Sequence, residues 1–342
     1  MSAPGPIFLA GIDRSGIGLL CELLEAHPNI AMTRRTNFWT LYLNQFGDLG
    51  RAENFERCLA EMMAFRRMQI FCPDPHRLRR EFERGEKSYT RLFELLQIQR
   101  AERLGKTRWG DKSLNSERYA GAILAAYPGA KMIHIIRDPR DRCASLISHR
   151  GVARTEAVSV GSRHWLRSVR IGDMNARRYA GKYKVIRYES LAADPHRTLR
   201  EVCHFVGEDY PSELLGVDKA GGLPGPAAYA AGEKVANPIQ IRTTSIGRYR
   251  AILSPREIAF IEILAGRQMV EHGYKPLHIE LTASETPLFY FGDVPRNSLR
   301  IGYAHLKENF NAIVGRRRHP PPRKVSASTW NAPPKTTTEQ LR

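Results

Sequence analysis

No stretch of this chain approaches the roughly eighteen consecutive apolar residues that a membrane-spanning helix needs, so no span is expected. Cysteine is scarce. The five residues Cys21, Cys58, Cys72, Cys143 and Cys203 form no CxxC and no zinc-like spacing. A disulfide framework and a zinc site are therefore not expected, and buried free thiols in a reducing compartment are. The first residues lack the basic and apolar segments of a signal peptide, which points to a cytoplasmic protein. Acidic residues are short: 35 against 53 basic ones, a formal net charge of +18. That excess suits a polyanionic ligand, a nucleic acid or an anionic surface, although no nucleic-acid-binding module is recognisable and no such partner is expected. Internal repeats are absent. Residues 316–342 are poor in apolar side chains, rich in proline and basic, and read as a disordered tail.

What remains alternates between two periodicities. Residues 6–12, "PIFLAGI", form an apolar run of strand length, followed through a glycine-rich turn by "SGIGLLCELLEAH", apolar at helical spacing. Residues 53–71 and 88–105 read as helices, the second with Ser88 as N-cap. "KMIHII" is a second strand, after which Asp138 and Pro139 open a helix. "KYKVIRYESL" is a third strand, and Asp194-Pro195 enters another helix. Residues 208–240 read as a long loop. Ser254, Pro255 and Glu257 make a capping box for a helix stopped by Gly273. This alternation predicts an α/β fold, a mostly parallel doubly wound sheet flanked by helices.

Two strand ends carry chemistry. Gly11, Gly16 and Gly18 lead β-strand into helix, aiming backbone N–H groups and a helix N-terminus at one point where an anion is favoured. Arg14 and Ser15 add a cation and a hydroxyl. The lysine and hydroxyl that end an NTPase loop are missing, since Ile17 and Gly18 stand there, which disfavours an ATP-magnesium site. In "IIRDPRDRCAS", Arg137 ends a strand on the ligand side of an open sheet, and Ser145 lies about two turns into the next helix. The competing reading of "RDPRD" is a salt-bridged helix cap. Two anion sites on one sheet suit a ligand with two separated phosphates.

The blocks "GIDRSGIGLL", "HPNI", "WGDKS", "KMIHIIRDPRD…S", "VIRYESL" and "SIGRYRAILS", in this order over about residues 7–275, resemble the PAPS-dependent sulfotransferase family. The resemblance implies a P-loop-like sulfotransferase fold and the co-substrate 3′-phosphoadenosine 5′-phosphosulfate (PAPS), whose sulfuryl group passes to a hydroxyl or amine without a metal. It implies a sulfotransferase domain over 1–280, a C-terminal extension over 281–315 and the tail over 316–342. By the same resemblance, Arg14, Ser15, Gly16, Ile17 and Gly18 cradle the 5′-phosphosulfate. Arg137 and Ser145 hold the 3′-phosphate, Tyr188 contacts the adenine, Gly247 and Arg248 close over the nucleotide, and Lys112 stands near the transferring group. The expected acceptor is a small molecule, glycan or peptide with a hydroxyl. The alternative is a sulfotransferase-fold protein that binds an anionic nucleotide or glycan without turnover.

The sequence departs from that family at three points. Ile17 and Gly18 replace two hydroxyl residues, and Asp13 puts a carboxylate beside the anion loop, where it repels unless a cation neutralises it. Arg35 stands where two branches of the family have a glutamate general base, and an arginine cannot take a proton. Asp111, Asp13 or a histidine is then the candidate base, Asp111 first among them; otherwise the acceptor is acidic or anionic, or there is no turnover. His27 and His134 read as packing residues, and Trp109 and Trp165 as core.

Overall fold

The computed structural model describes residues 4–211, 241 and 243–315. The expected loop therefore lies outside the described residues from position 212 on, as does the tail 316–342. Five strands, β1 (Ile7–Ala10), β2 (Ile30–Arg34), β3 (Arg108–Lys112), β4 (Lys131–Ile136) and β5 (Tyr183–Arg187), form one sheet in the order β2-β3-β1-β4-β5. Every pairing is parallel. The helices that position the site or brace it are α1 (Ile17–Glu25), α2 (Ala52–Ala64), α3 (Pro75–Glu83), α4 (Tyr89–Arg103), α5 (Ala120–Ala126), α6 (Pro139–Arg150), α7 (Val160–Arg178), α8 (Tyr188–Ala193), α9 (Pro195–Val206), α10 (Pro255–Glu271) and α11 (Val294–Gly315).

A parallel sheet is covered on both faces, so its strands are apolar on both sides. β1 shows how this works. Ile7 and Leu9 join the cluster that includes Leu20, Leu24 and Leu199 from α1 and α9. Phe8, one residue out of phase, joins the opposite cluster, where it meets Trp39 and Trp109 edge-on and stacks on Tyr127. Offset and edge-to-face contacts of this kind add about 1 kcal/mol each to simple burial.

The expected caps are present. The side chains of Ser88, Asp138, Asp194 and Ser254 each accept a first-turn backbone N–H, and Ser254 with Glu257 completes a capping box. Other boundaries differ from the sequence reading. The helix expected over 53–71 ends at Ala64, because Phe65 turns to extended geometry and lies against Tyr42; a separate short turn follows at Gln69–Phe71. The third strand ends at Arg187, and Tyr188 already begins α8. Strands β2 and β3 carry no signal as apolar runs. Four cysteines are buried, whereas Cys72 is exposed on a left-handed turn at φ 34°. Residues 285–315 are helical, and Phe289 there packs with Phe260 of α10. Among the described residues, no helix is long and apolar enough to cross a membrane.

Candidate functional site

All five strands deliver a residue to one rim. Because the strands are parallel, their carboxyl ends lie along the same edge, the edge where open α/β sheets bind ligands. β2 leads to Arg35, β3 ends at Lys112, β1 leads into the loop Gly11–Gly16, β4 leads to Arg137 and β5 to Tyr188. Arg34 pairs in register with Lys112, and Ile136 with Arg187, so these ends are level. A cavity of about 330 Å³ opens here. Its wall includes Arg14, Gly16, Ile17, Gly18, Lys112, Arg137 and Tyr188 of the residues expected from the sequence.

The loop turns sharply. Arg14 has φ 64° and Gly16 φ 93°, both in the left-handed region. A Cβ on Gly16 would run into the Tyr188 ring, so glycine is required there for space as well as for φ. Ser15 is buried, and its hydroxyl donates to the Ile12 carbonyl at 2.6 Å, which closes the loop. Ile17 is also buried and packs in the apolar cluster beside Tyr188. The first α1 amides, without a side-chain cap, then remain for an anion.

Gly18 differs from its neighbours. A Cβ there would meet nothing within 4 Å. Replacing Gly18 by serine is therefore expected to fold normally. It should tighten anion binding about 2- to 10-fold, as one added hydrogen bond would, in a calorimetric titration. Unchanged affinity would place the anion away from the start of α1.

Cations crowd the cavity. Arg14 donates Nε to Ser145 Oγ at 2.8 Å. Arg137 donates Nη2 to the Ser245 carbonyl at 2.6 Å and Nη1 to the Arg14 carbonyl at 3.3 Å, and its guanidinium stacks 4.6 Å from the Tyr188 ring centre. Its buried Nε finds no acceptor among the described residues. Burial, then the charges of Arg137 and Arg150, push the Arg14 pKa down. Burial also lowers that of Lys112, and Arg35 and Arg34 add to the effect. Like charges held together in partial burial are costly, and a bound anion relieves that cost.

The carboxylates fall into three situations. Asp13 is neutralised by Arg142, whose Nη2 reaches its Oδ1 at 2.7 Å while Nε donates to its carbonyl at 2.9 Å. The cation that the sequence argument required is thus a buried arginine of the "RDPRD" helix. Asp111 is fully buried. Its Oδ1 accepts from Thr33 and Thr36, and its Oδ2 from Ser113; it does not line the cavity. Burial raises its pKa. Glu22 does line the cavity, one turn along α1 from Gly18, with Oε1 held by Arg34 at 2.9 Å.

The rest of "RDPRD" is structural bracing, which is the salt-bridged cap of the sequence reading. Asp138 caps α6 and pairs with Arg140, which pairs onward with Glu262 at 2.6 Å. Asp141 accepts from the backbone N–H groups of Gly247 and Tyr249 at 2.7 and 3.0 Å. Gly247 and Arg248 therefore dock on α6 rather than line the cavity, and Arg248 is exposed; Ser245 is the residue of that segment on the wall. Ser145 is near the cavity through Arg14. Arg150, Glu22 and Ser245 were not singled out from the sequence. Helical spacing from Gly18 to Glu22 could have found the second of these. His27 and His134 are packing residues: His134 is buried between Ser168 and Tyr183, and His27 meets the Asp209 carbonyl.

Comparison with known proteins places this chain in a family. A model described as "Sulfotransferase family" matches residues 6–212, more than half of the chain. The chain belongs to the sulfotransferase family. No curated protein matches it. Among solved structures, the sulfotransferase domain from the curacin biosynthetic pathway is 20% identical, with a TM-score of 0.50, over 80% of this chain and 98% of that one. The sulfotransferase domain from the Synechococcus PCC 7002 olefin synthase is 21% identical, with a TM-score of 0.48, over 78% and 97%. At such identity the curacin-pathway likeness speaks to the fold, which is the P-loop-like sulfotransferase fold.

Proposed function

We propose that this sulfotransferase-family chain binds PAPS in the 330 Å³ cavity and transfers the sulfuryl group to a hydroxyl, or an amine, of a small-molecule, glycan or peptide acceptor. Residues 1–280 would form the transferase unit, with 281–315 appended. The observation that carries this reading is the convergence of five strand ends on one cavity whose wall holds the cations Arg14, Arg35, Lys112, Arg137 and Arg150. The donor supplies an activated sulfuryl group and an anionic leaving group. The α1 amides and Arg14 would hold its 5′ end. Arg137, oriented by Tyr188, would take the 3′-phosphate, together with the Ser145 hydroxyl. Lys112 and Arg14 would neutralise the charge that develops on the leaving oxygen, with donors fixed in place beforehand. The test is turnover of radiolabelled donor against a panel of phenols, alcohols, amines and sugars.

Glu22 is the group we assign as proton acceptor. Asp111 is enclosed by hydroxyls away from the cavity and acts as a positioning residue for the turn that carries Arg35 and Thr36. Asp13 is tied to Arg142. Glu22 sits on the wall with Arg35 and Lys112, and only its Oε1 is engaged by Arg34. Glu22→Gln is expected to lower kcat roughly 10²-fold or more, the scale of lost general-base catalysis, with KM for the donor unchanged or lower. An unchanged kcat would overturn the role. Arg35 favours a second reading, binding without transfer, and that reading would stand if no acceptor in the panel turns over.

Lys112 gives the pH dependence. Burial, then Arg35 and Arg34, lower its pKa below the ordinary lysine value of 10.5, so its positive charge is lost earlier as pH rises than that of a free lysine. Turnover should fall on the alkaline side before a free lysine would titrate. Lys112→Arg should move that limb upward, since arginine stays protonated. A limb that does not move in the variant would exclude Lys112 as its origin.

A further inference from the structure

Helix α11 has two unlike faces. Its inward side is satisfied: Glu308 meets Arg163, His164 and Arg167 of α7 at 3.4, 2.8 and 3.3 Å, Asn297 is buried, and Ile301 packs on the cluster of Phe260 and Phe289. The outward side carries Leu299, Tyr303, Leu306 and Phe310, each between 64% and 75% exposed. Their spacing of four, three and four residues puts them in one stripe, opposite Glu308 on the helical wheel. Phe291, 85% exposed, extends apolar surface beyond the N-terminal end of the helix. Large exposed side chains grouped in this way mark an interaction surface.

The charge around the stripe selects the partner. Arg296 and Lys307 are exposed and border it on one side. Glu308 is the only acid of α11, and it is turned away into the cation cluster of α7. Immediately after the helix the sequence reads Arg316-Arg317-Arg318, and residues 316–342 hold seven Lys or Arg against one acid. A second copy would bring the same cations against the same cations, with no outward acid to answer them. An anionic bilayer offers hydrocarbon for the stripe and negative charge for its border, which is the arrangement of an interfacial amphipathic helix.

We propose that the outward face of α11 docks the protein on an anionic lipid surface, with the helix lying in the interface plane. The probe is co-sedimentation of the full chain with vesicles of phosphatidylcholine alone and of phosphatidylcholine with about a third phosphatidylglycerol, a charge density that basic segments sense. Binding to the anionic vesicles, weakened by high salt and absent on neutral vesicles, is the expected result. L306E combined with F310E, both outside the cavity, should reduce binding roughly tenfold or more, as losing two buried apolar side chains would. Retained binding of adenosine 3′,5′-bisphosphate would show that this variant is folded. No binding to anionic vesicles, or equal binding by the variant, overturns the proposal. A dimer in analytical ultracentrifugation that the variant turns into monomer also overturns it, and assigns the stripe to a second copy.

Discussion

Arg14→Ala should lower turnover by roughly 10²- to 10³-fold, the cost of removing one preorganised donor from developing charge, while part of the affinity for the donor's product persists. The position isolates the effect. Arg14 has φ 64°, and alanine carries the same Cβ, so the backbone strain of the loop is unchanged. The α1 amides and Arg137, which binds through its own contacts to Ser245 and Tyr188, remain in place. What disappears is the guanidinium that Ser145 holds at 2.8 Å. Arg14→Lys should recover part of the rate, because it restores charge without the Nε bond. Comparable kcat in Arg14→Ala and wild type, measured at saturating donor, would remove Arg14 from the chemistry.

Arg142→Met is expected to cost the most stability. The side chain is almost wholly buried and makes three bonds: to the Asp13 carboxylate, to the Asp13 carbonyl and to the Gly161 carbonyl. Methionine fills much of the volume and satisfies none of them. Removing one partner of a buried pair costs about 3–5 kcal/mol. The lower end applies here, since Asp13 keeps 32% of its side-chain surface in solvent. Anion binding should fall as well, because an uncompensated carboxylate then stands on the cavity wall. The double variant Asp13→Asn/Arg142→Met separates the two effects: binding should recover while much of the stability loss remains. A melting temperature unchanged in Arg142→Met would contradict the account.

The parts of the fold that were legible in the sequence are those whose burial is apolar. β1, β4 and the capped helices follow from period and from the residues at their ends, because the same chain segment carries both signal and cause. β3 was not legible for the opposite reason. All five of its residues, Arg108–Lys112, are buried, yet three are charged. Their burial depends on partners far along the chain: Arg108 donates to the carbonyls of Gly5 and Val206 and pairs with Glu208, and Asp111 gathers hydroxyls from β2 and the turn after it. No local pattern encodes that.

The site divides in the same way. Arg14, Arg137 and Tyr188 reach the cavity because each follows a strand whose end is readable, whereas Lys112 ends the illegible β3 and was found only through the resemblance of its "GDKS" block. Gly247 and Arg248 are drawn aside by Asp141, 106 residues from Gly247 in sequence, and only the fold reveals that contact. The three departures from the family pattern also find physical answers. Ile17 exchanges a hydroxyl for burial, Arg142 neutralises Asp13, and Glu22 brings a carboxylate to the cavity wall that Arg35 shares, where it pairs with Arg34.

The central claim is that the cationic rim holds a nucleotide with two separated phosphates. Isothermal titration of adenosine 3′,5′-bisphosphate into the full chain, alongside ATP and alongside Arg137→Ala, tests it most directly. One saturable site, preferred over ATP in wild type and with that preference lost in Arg137→Ala, is the predicted result. No heat with the bisphosphate, or equal affinity for it in wild type and variant, would contradict the claim.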